Sequence, residues 1–239
     1  MTERPILFSA EMVRAIFGGN KTMTRRIVKP QPTWVQAHTA YIGRKIGIHE
    51  VLCPYGRKGD RLWVRETWQC VHVYIDPETG YGDDIKVAKE IPKEKDSYWR
   101  PIYAADQEYE ENSWDRGFRW RPSIHMPRWA SRITLEITDV RLQRLQAINE
   151  QDALAEGVMH TDFGMYTPKG TMSLDGGNTF LPFKEQRAPG WHVGPVSGPD
   201  QCFQAARNAF GNLWEHIHGD GAWDQNPWVW AISFRRLVP

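Results

Sequence analysis

Residues 131–140, SRITLEITDV, constrain this chain more than any other stretch. Ile133, Leu135 and Ile137 fall on one side of an extended backbone, and Thr134, Glu136 and Thr138 on the other. A period of two marks a strand with one buried face; wound onto a helix, the same residues would scatter around its surface. Such a strand needs partners. Residues 61–68 (RLWVRETW), entered by the turn Lys58-Gly59-Asp60, put Leu62, Val64, Glu66 and Trp68 on one face. Residues 228–234 (WVWAISF) read as a closing strand. Residues 21–28 carry two threonines and end in Ile27-Val28, which suits an extended segment, and Pro30 and Pro32 stop it.

Three stretches read as helices. Ser9 caps the first, Met12, Val13, Ile16 and Phe17 fall at helical spacing, and Gly18-Gly19 ends it. The second spans 149–156, with Asn149 as cap, an acidic first turn and Gly157 as stop. The third starts from Asp200 as cap. Phe203, Ala206, Phe210, Leu213 and Ile217 form its apolar stripe, and Gly219 ends it. Residues 33–57 look irregular. Residues 74–115 are polar, change sign often and contain Pro77, Gly80 and Gly82, so they read as an insertion; 98–104 and 118–121 are candidate short strands within and after it. Residues 158–198 hold seven glycines and read as a long loop or lid. The pattern is a mixed α+β fold, in which strands at both ends of the chain are able to close a small barrel. No linker separates two periodic halves, so a single domain over 1–239 is expected, with insertions at about 69–129 and 158–198.

The 239 residues include 30 Lys and Arg against 29 Asp and Glu, a formal net charge of +1. Nucleic-acid binding by sheer positive charge is excluded, while a local basic face is not. No apolar run approaches the roughly 18 residues of a membrane span, and the first residues lack the pattern of a signal peptide. Cys53, Cys70 and Cys202 are scattered without a CxxC pair, which points to reduced thiols and a cytoplasmic protein rather than to disulfides or structural zinc. The 12 tryptophans are either core and edge packing or a stacking surface.

Lys21 and Thr24 are one candidate pair, because a lysine whose pKa is lowered by burial is able to deprotonate a threonine nucleophile. The same pair also fits a turn lysine and a strand threonine. Arg25 and Arg26 add positive charge, and alternation puts Thr22, Thr24 and Arg26 on one face, where Arg26 is able to hold a phosphate or an oxyanion. Glu66 shares a face with apolar residues, so it needs a cationic partner or has a raised pKa. Glu156 sits in the last turn of its helix, where the helix dipole disfavours a negative charge. Residues 116–145 hold seven arginines, among them Arg119, Arg121, Arg128 and Arg132, against Glu136 and Asp139 alone, with Phe118, Trp120 and Trp129 interleaved. That composition suits a nucleic-acid surface, and equally a set of salt bridges to the acidic 106–115 segment. His216 and His218 point apart on a helix and lack further ligands, so no metal site is expected. P-loop, GxGxxG, GxSxG and HExxH motifs are absent from the sequence.

The order of these motifs resembles the ASCH family. A helix is followed by GNKTMTRR, then KGDRLWV, then ITLEITDV with LQRLQAINEQDALAEGV, then WVWAISF. The match covers roughly residues 5–30, 56–68, 130–158 and 226–237, and is nearest to the long, Trp-rich members encoded by phages and prophages. The resemblance implies a PUA-like β-barrel and a pocket for a nucleoside, a nucleotide or RNA. One small bacterial member is an amidohydrolase acting on acetylcytidine, with a Lys-x-x-Thr-x-Arg segment and a glutamate after the long strand. The matching positions are Lys21, Thr24, Arg26 and Glu156, with Arg25 standing where an apolar residue is usual. Three readings follow. The first is a module binding RNA, single-stranded nucleic acid or a modified nucleoside in a pocket lined by Lys21, Thr24, Arg26 and Glu156, with Arg25 and Glu66 also at the ligand and Arg119, Trp120, Arg121, Arg128, Trp129 and Arg132 on nucleic acid. The second is an amidohydrolase needing neither metal nor cofactor, using Thr24 as nucleophile, Lys21 as base and Glu156 as acid and base. The third is a phage accessory protein binding another protein through its rings.

Overall fold

The computed structural model describes residues 1–32, 52–74, 84–95, 99–106, 118–173 and 180–238. It is a mixed α+β fold, mostly sheet. Among the described residues the strands are β1 (Glu3–Leu7), β2 (Met23–Ile27), β3 (Arg61–Arg65), β4 (Trp68–Tyr74), β5 (Asp84–Val87), β6 (Arg100–Tyr103), β7 (Thr134–Arg144), β8 (Met159–Tyr166), β9 (Thr171–Ser173), β10 (Phe180–Pro182), β11 (Gln186–His192) and β12 (Trp228–Leu237). The helices are α1 (Ala10–Phe17), α2 (Glu150–Ala155) and α3 (Ala206–His218), with short 3-10 turns between elements. No helix among these residues is long and apolar enough to cross a membrane.

The chain packs as two compact units. The first comprises Met1–Thr22, Ile46–Arg141 and Ile232–Pro239, and the second Met23–Lys45 and Leu142–Ala231. In the first unit the strand order is β1-β3-β7-β12. β1 lies parallel to β3, from Glu3 opposite Arg61 to Leu7 opposite Arg65. β3 is antiparallel to β7, with Leu62 opposite Leu135. The alternation of 131–140 does what it requires here: Ile133, Leu135 and Ile137 are buried, as are Leu62 and Val64. A second antiparallel sheet, in the order β5-β4-β6, packs Trp68, Cys70, Ala88, Met126 and Ala130 together. Helix α1 starts where Ser9 Oγ accepts the N–H of Met12, buries Val13 and Ile16, and ends as the Gly18 N–H bonds the Arg14 carbonyl. Gly19, at φ +76°, then turns the chain through a conformation that side chains rarely adopt.

In the second unit the strand order is β7-β12-β2. An antiparallel ribbon joins β8 and β11, with Trp191 opposite His160, and β9 pairs with β10. One apolar cluster unites Leu145, Ile148, Ala153, Val158, Phe210, Trp214 and Val229 with the half-buried Ile27, Trp191 and Phe203. Gly190 on β11 is required by space, since a Cβ there would lie 2.3 Å from the Cβ of Cys202.

Several expectations from the sequence need correction. The strand of 61–68 is two strands, β3 and β4, broken at Glu66 and Thr67, where Arg132 takes the Glu66 carboxylate and Trp68 turns to bond Arg121. Residues 118–121 form only an isolated bridge between Trp68 and Arg121. The 158–198 stretch is not a loop: it contains β8 to β11, built on cross-strand pairing rather than on periodic apolar residues. The 69–129 stretch holds most of β4 together with β5 and β6, and β6 falls within the candidate strand at 98–104. Asp200 does not cap α3, because its carboxylate accepts the Tyr166 hydroxyl, and the helix begins later, after Ala205. The closing strand runs on to Leu237, and β1 went unnoticed. Every described tryptophan is buried or half-buried, in keeping with core and edge packing.

Candidate functional site

In the second unit β2 alternates under constraint. Met23 and Arg25 share one face, Thr24 and Arg26 the other, and the first three of these residues are buried. Arg25 has no exposed side-chain surface, so its charge must be met locally. Helix α2 meets it. The Asn149 side chain caps that helix on the N–H of Asp152, which fixes the first turn. Asp152 and Glu156 are four residues apart and share one helical face. Both reach the same guanidinium: Arg25 Nη2 lies 2.6 Å from Asp152 Oδ2, and Nη1 lies 3.2 Å from Glu156 Oε1. Nη1 also lies 3.3 Å from Met23 Sδ, and the guanidinium stands 5.7 Å from the centre of the Phe210 ring. The arrangement explains how a carboxylate is tolerated at the end of a helix, because a buried cation offsets the dipole there. At the end of α3, His218 stacks on Trp214 with ring centres 4.2 Å apart. Burial, helped by the positive charges of Arg26 and Lys29, holds the His218 imidazole below its usual pKa.

Lys21 belongs to the first unit. It is buried, with Nζ 6.0 Å from the centre of the Phe8 ring. Glu66, also in the first unit, is fully buried and grips Arg132 through two bonds: Nε to Oε1 at 3.0 Å and Nη2 to Oε2 at 2.9 Å. Burial raises the Glu66 carboxyl pKa, against the lowering pull of Arg132. The third nitrogen of Arg132 bonds Asp106 at 2.8 Å. Tyr103 lies under the same guanidinium, 3.8 Å from ring centre to Cζ, and donates its hydroxyl to the Ala130 carbonyl at 2.7 Å. Burial pushes the Tyr103 phenol up to about 12.

Among the described residues of 116–145, Arg121 and Arg128 are likewise engaged by protein groups. Arg128 forms a fork on Glu3 with two bonds of 2.9 Å. Arg121 donates Nε to Gln69 at 2.8 Å and Nη2 to the carbonyls of Ala88 and Lys89. Arg119 is exposed, and its carbonyl accepts from Gln69 Nε2 at 2.7 Å. Trp120 stands edge-on to Phe118, with centres 5.2 Å apart. Trp129 stands edge-on to Trp68 and donates Nε1 to the Pro92 carbonyl at 2.9 Å. Of the acidic 106–115 run, Asp106 is the described member, and it does pair with Arg132; residues 107–115 lie outside the described residues.

The structure therefore brings Arg25 to Glu156 and sets Glu66 on Arg132. Asp152 went unnoticed as a site residue. Its spacing of four from Glu156 was the available signal, but it read as part of an acidic first turn. Among the described residues no group of three or more His, Cys, Asp or Glu is placed to hold a metal ion. No family model matches the chain, and neither a curated protein nor a solved structure matches it.

Proposed function

We propose that this chain is an ASCH-type protein with a PUA-like barrel that binds RNA, single-stranded nucleic acid or a modified nucleoside, with Thr24 and Arg26 at the ligand and Glu156 holding their strand through Arg25. The observation that carries this reading is the contact of Arg25 with Glu156. The two are 131 residues apart in sequence and 3.2 Å apart in space, so Glu156 anchors β2 through its Met23–Arg25 face, and Thr24 and Arg26 lie on the other face of the same strand. Binding is favoured over hydrolysis because Glu156 Oε1 accepts from a buried guanidinium, and that oxygen is poorly placed to hand a proton to a leaving group. A fluorescein-labelled single strand, followed by anisotropy across a salt series, tests the reading. Affinity should fall with a log–log slope of about −0.7 per phosphate contacted, and Arg26→Ala should weaken it. No binding of RNA or DNA oligomers at low salt overturns it.

The hydrolytic alternative draws on the burial of both Thr24 and Glu156 in the second unit. Acetate release from acetylcytidine without added metal, abolished by Thr24→Ala, would put it first.

A further inference from the structure

The first unit carries a stack that the proposed function does not use. Arg132 is bonded by Glu66 and by Asp106, and lies close to two rings. Its Cζ is 3.8 Å from the centre of Tyr103 and 4.9 Å from that of Phe17. Phe17 also carries a second guanidinium, Arg236, with Cζ 5.0 Å from the ring centre. Ring and cation thus alternate from Tyr103 through Arg132 and Phe17 to Arg236.

The two cations differ in how their charge is met. Arg132 faces two carboxylates. Among the described residues no carboxylate pairs with Arg236, which is exposed. Its neighbour Arg235 is turned the other way along β12 and bonds Glu136 at 2.7 Å. Phe17 is 41% exposed at the end of α1, although Val13 and Ile16 of the same helix are buried. A lone exposed phenylalanine needs no explanation. One that carries an unpaired guanidinium, on a base held rigid by Glu66 and the Tyr103 hydroxyl, is an ordered cationic platform. Arg14, one turn earlier on α1, is exposed beside it and reaches the Ala105 carbonyl with Nη1 at 3.4 Å.

We propose that this stack seats a nucleobase of a single-stranded nucleic acid: the base lies on the Phe17–Arg236 platform, and the guanidinium edge takes the flanking phosphate. The inference rests on the nucleic-acid reading above and gives it a location. A planar guanidinium already on a ring keeps in-plane donors for a phosphate and a face for a further π-system, a combination that lysine does not offer. Base stacking on such a surface tolerates any sequence. An apolar protein partner is disfavoured because docking there would bury an unpaired cation.

The test compares wild-type protein with Arg236→Lys, Arg236→Ala and Phe17→Leu by anisotropy on a fluorescein-labelled single-stranded RNA 12-mer at low salt, after a thermal melt of each variant. Arg236→Lys keeps the charge, and its exposed position leaves the core untouched, so it remains informative if Phe17→Leu does not fold. Stacking predicts that all three variants lose roughly ten-fold or more in affinity, Arg236→Lys included. Wild-type binding with unchanged affinity in Arg236→Lys overturns the platform and leaves the nucleic-acid reading standing. No wild-type binding overturns both. Phe17-dependent sedimentation with phosphatidylserine vesicles, with RNA affinity unchanged in the variants, reassigns the patch to a lipid surface and overturns the proposal.

Discussion

At the scale of single residues, Arg25 is a fully buried cation of the second unit that meets two carboxylates. Its charge is matched, because Asp152 and Glu156 both reach its guanidinium from one helical face. Breaking such a cluster from one side costs more than replacing it whole, since the partners stay buried and lose this cation. Arg25→Met should therefore lower stability by about 3–5 kcal/mol in urea unfolding. Adding Asp152→Asn and Glu156→Gln to Arg25→Met should recover at least half of that loss. An Arg25→Met variant as stable as wild type would show that the carboxylates are met by other groups.

At the scale of elements, the turn into β3 shows how a local signal and a tertiary one combine. Lys58-Gly59-Asp60 was legible as a turn, and Gly59 indeed has a positive φ of 88°. The sequence did not disclose that the Asp60 carboxylate also holds the chain before β1, accepting the N–H of Thr2 at 2.8 Å and that of Arg57 at 3.2 Å. Those bonds hold its carboxyl well below the usual range, at about 2 rather than 3.8. A depressed carboxylate pKa stabilises the fold above the unfolded value and loses that contribution as pH falls through the folded value. Asp60→Asn should therefore unfold at lower urea than wild type at pH 7. The gap should narrow as pH falls from about 3.8 to about 2, and a gap that stays constant across that window would refute the assignment. The same contrast marks what could be read elsewhere. Residues 131–140, α1 and α2 carry their periods and caps in their own residues, so they were legible. β1, β8 and β11 are specified by their partners: Gly190 faces Cys202 and Trp191 meets His160, pairings that no local pattern announces. The contact of Glu156 with Arg25, 131 residues away in sequence, has no local signal. The Arg132 fork on Glu66 was half legible, as a buried carboxylate in need of a cation.

At the scale of the whole chain, neither compact unit is a continuous segment. The second takes Met23–Lys45 from early in the sequence and Leu142–Ala231 from late in it. The early piece supplies three different kinds of support. Arg25 answers the two carboxylates of α2, Ile27 packs on the Phe210 and Trp214 cluster, and the Val28 N–H bonds the Trp228 carbonyl at 3.0 Å. Without it, residues 142–231 keep two buried charges, an uncovered apolar cluster and an unpaired strand edge, each a cost that folding has to overcome. A fragment of residues 142–231 should therefore show no cooperative urea transition. The same fragment with residues 20–32 joined ahead of it through a flexible Gly-Ser linker should regain one, because the linker adds only a modest closure cost. The comparison isolates the contribution of β2, since both fragments are cut at the same later positions. Cooperative unfolding of 142–231 alone, or none in either fragment, would refute the view that β2 completes this unit. A transition found only in the linked form, and weakened again by Arg25→Met within it, would tie that completion to the buried cation rather than to strand pairing alone.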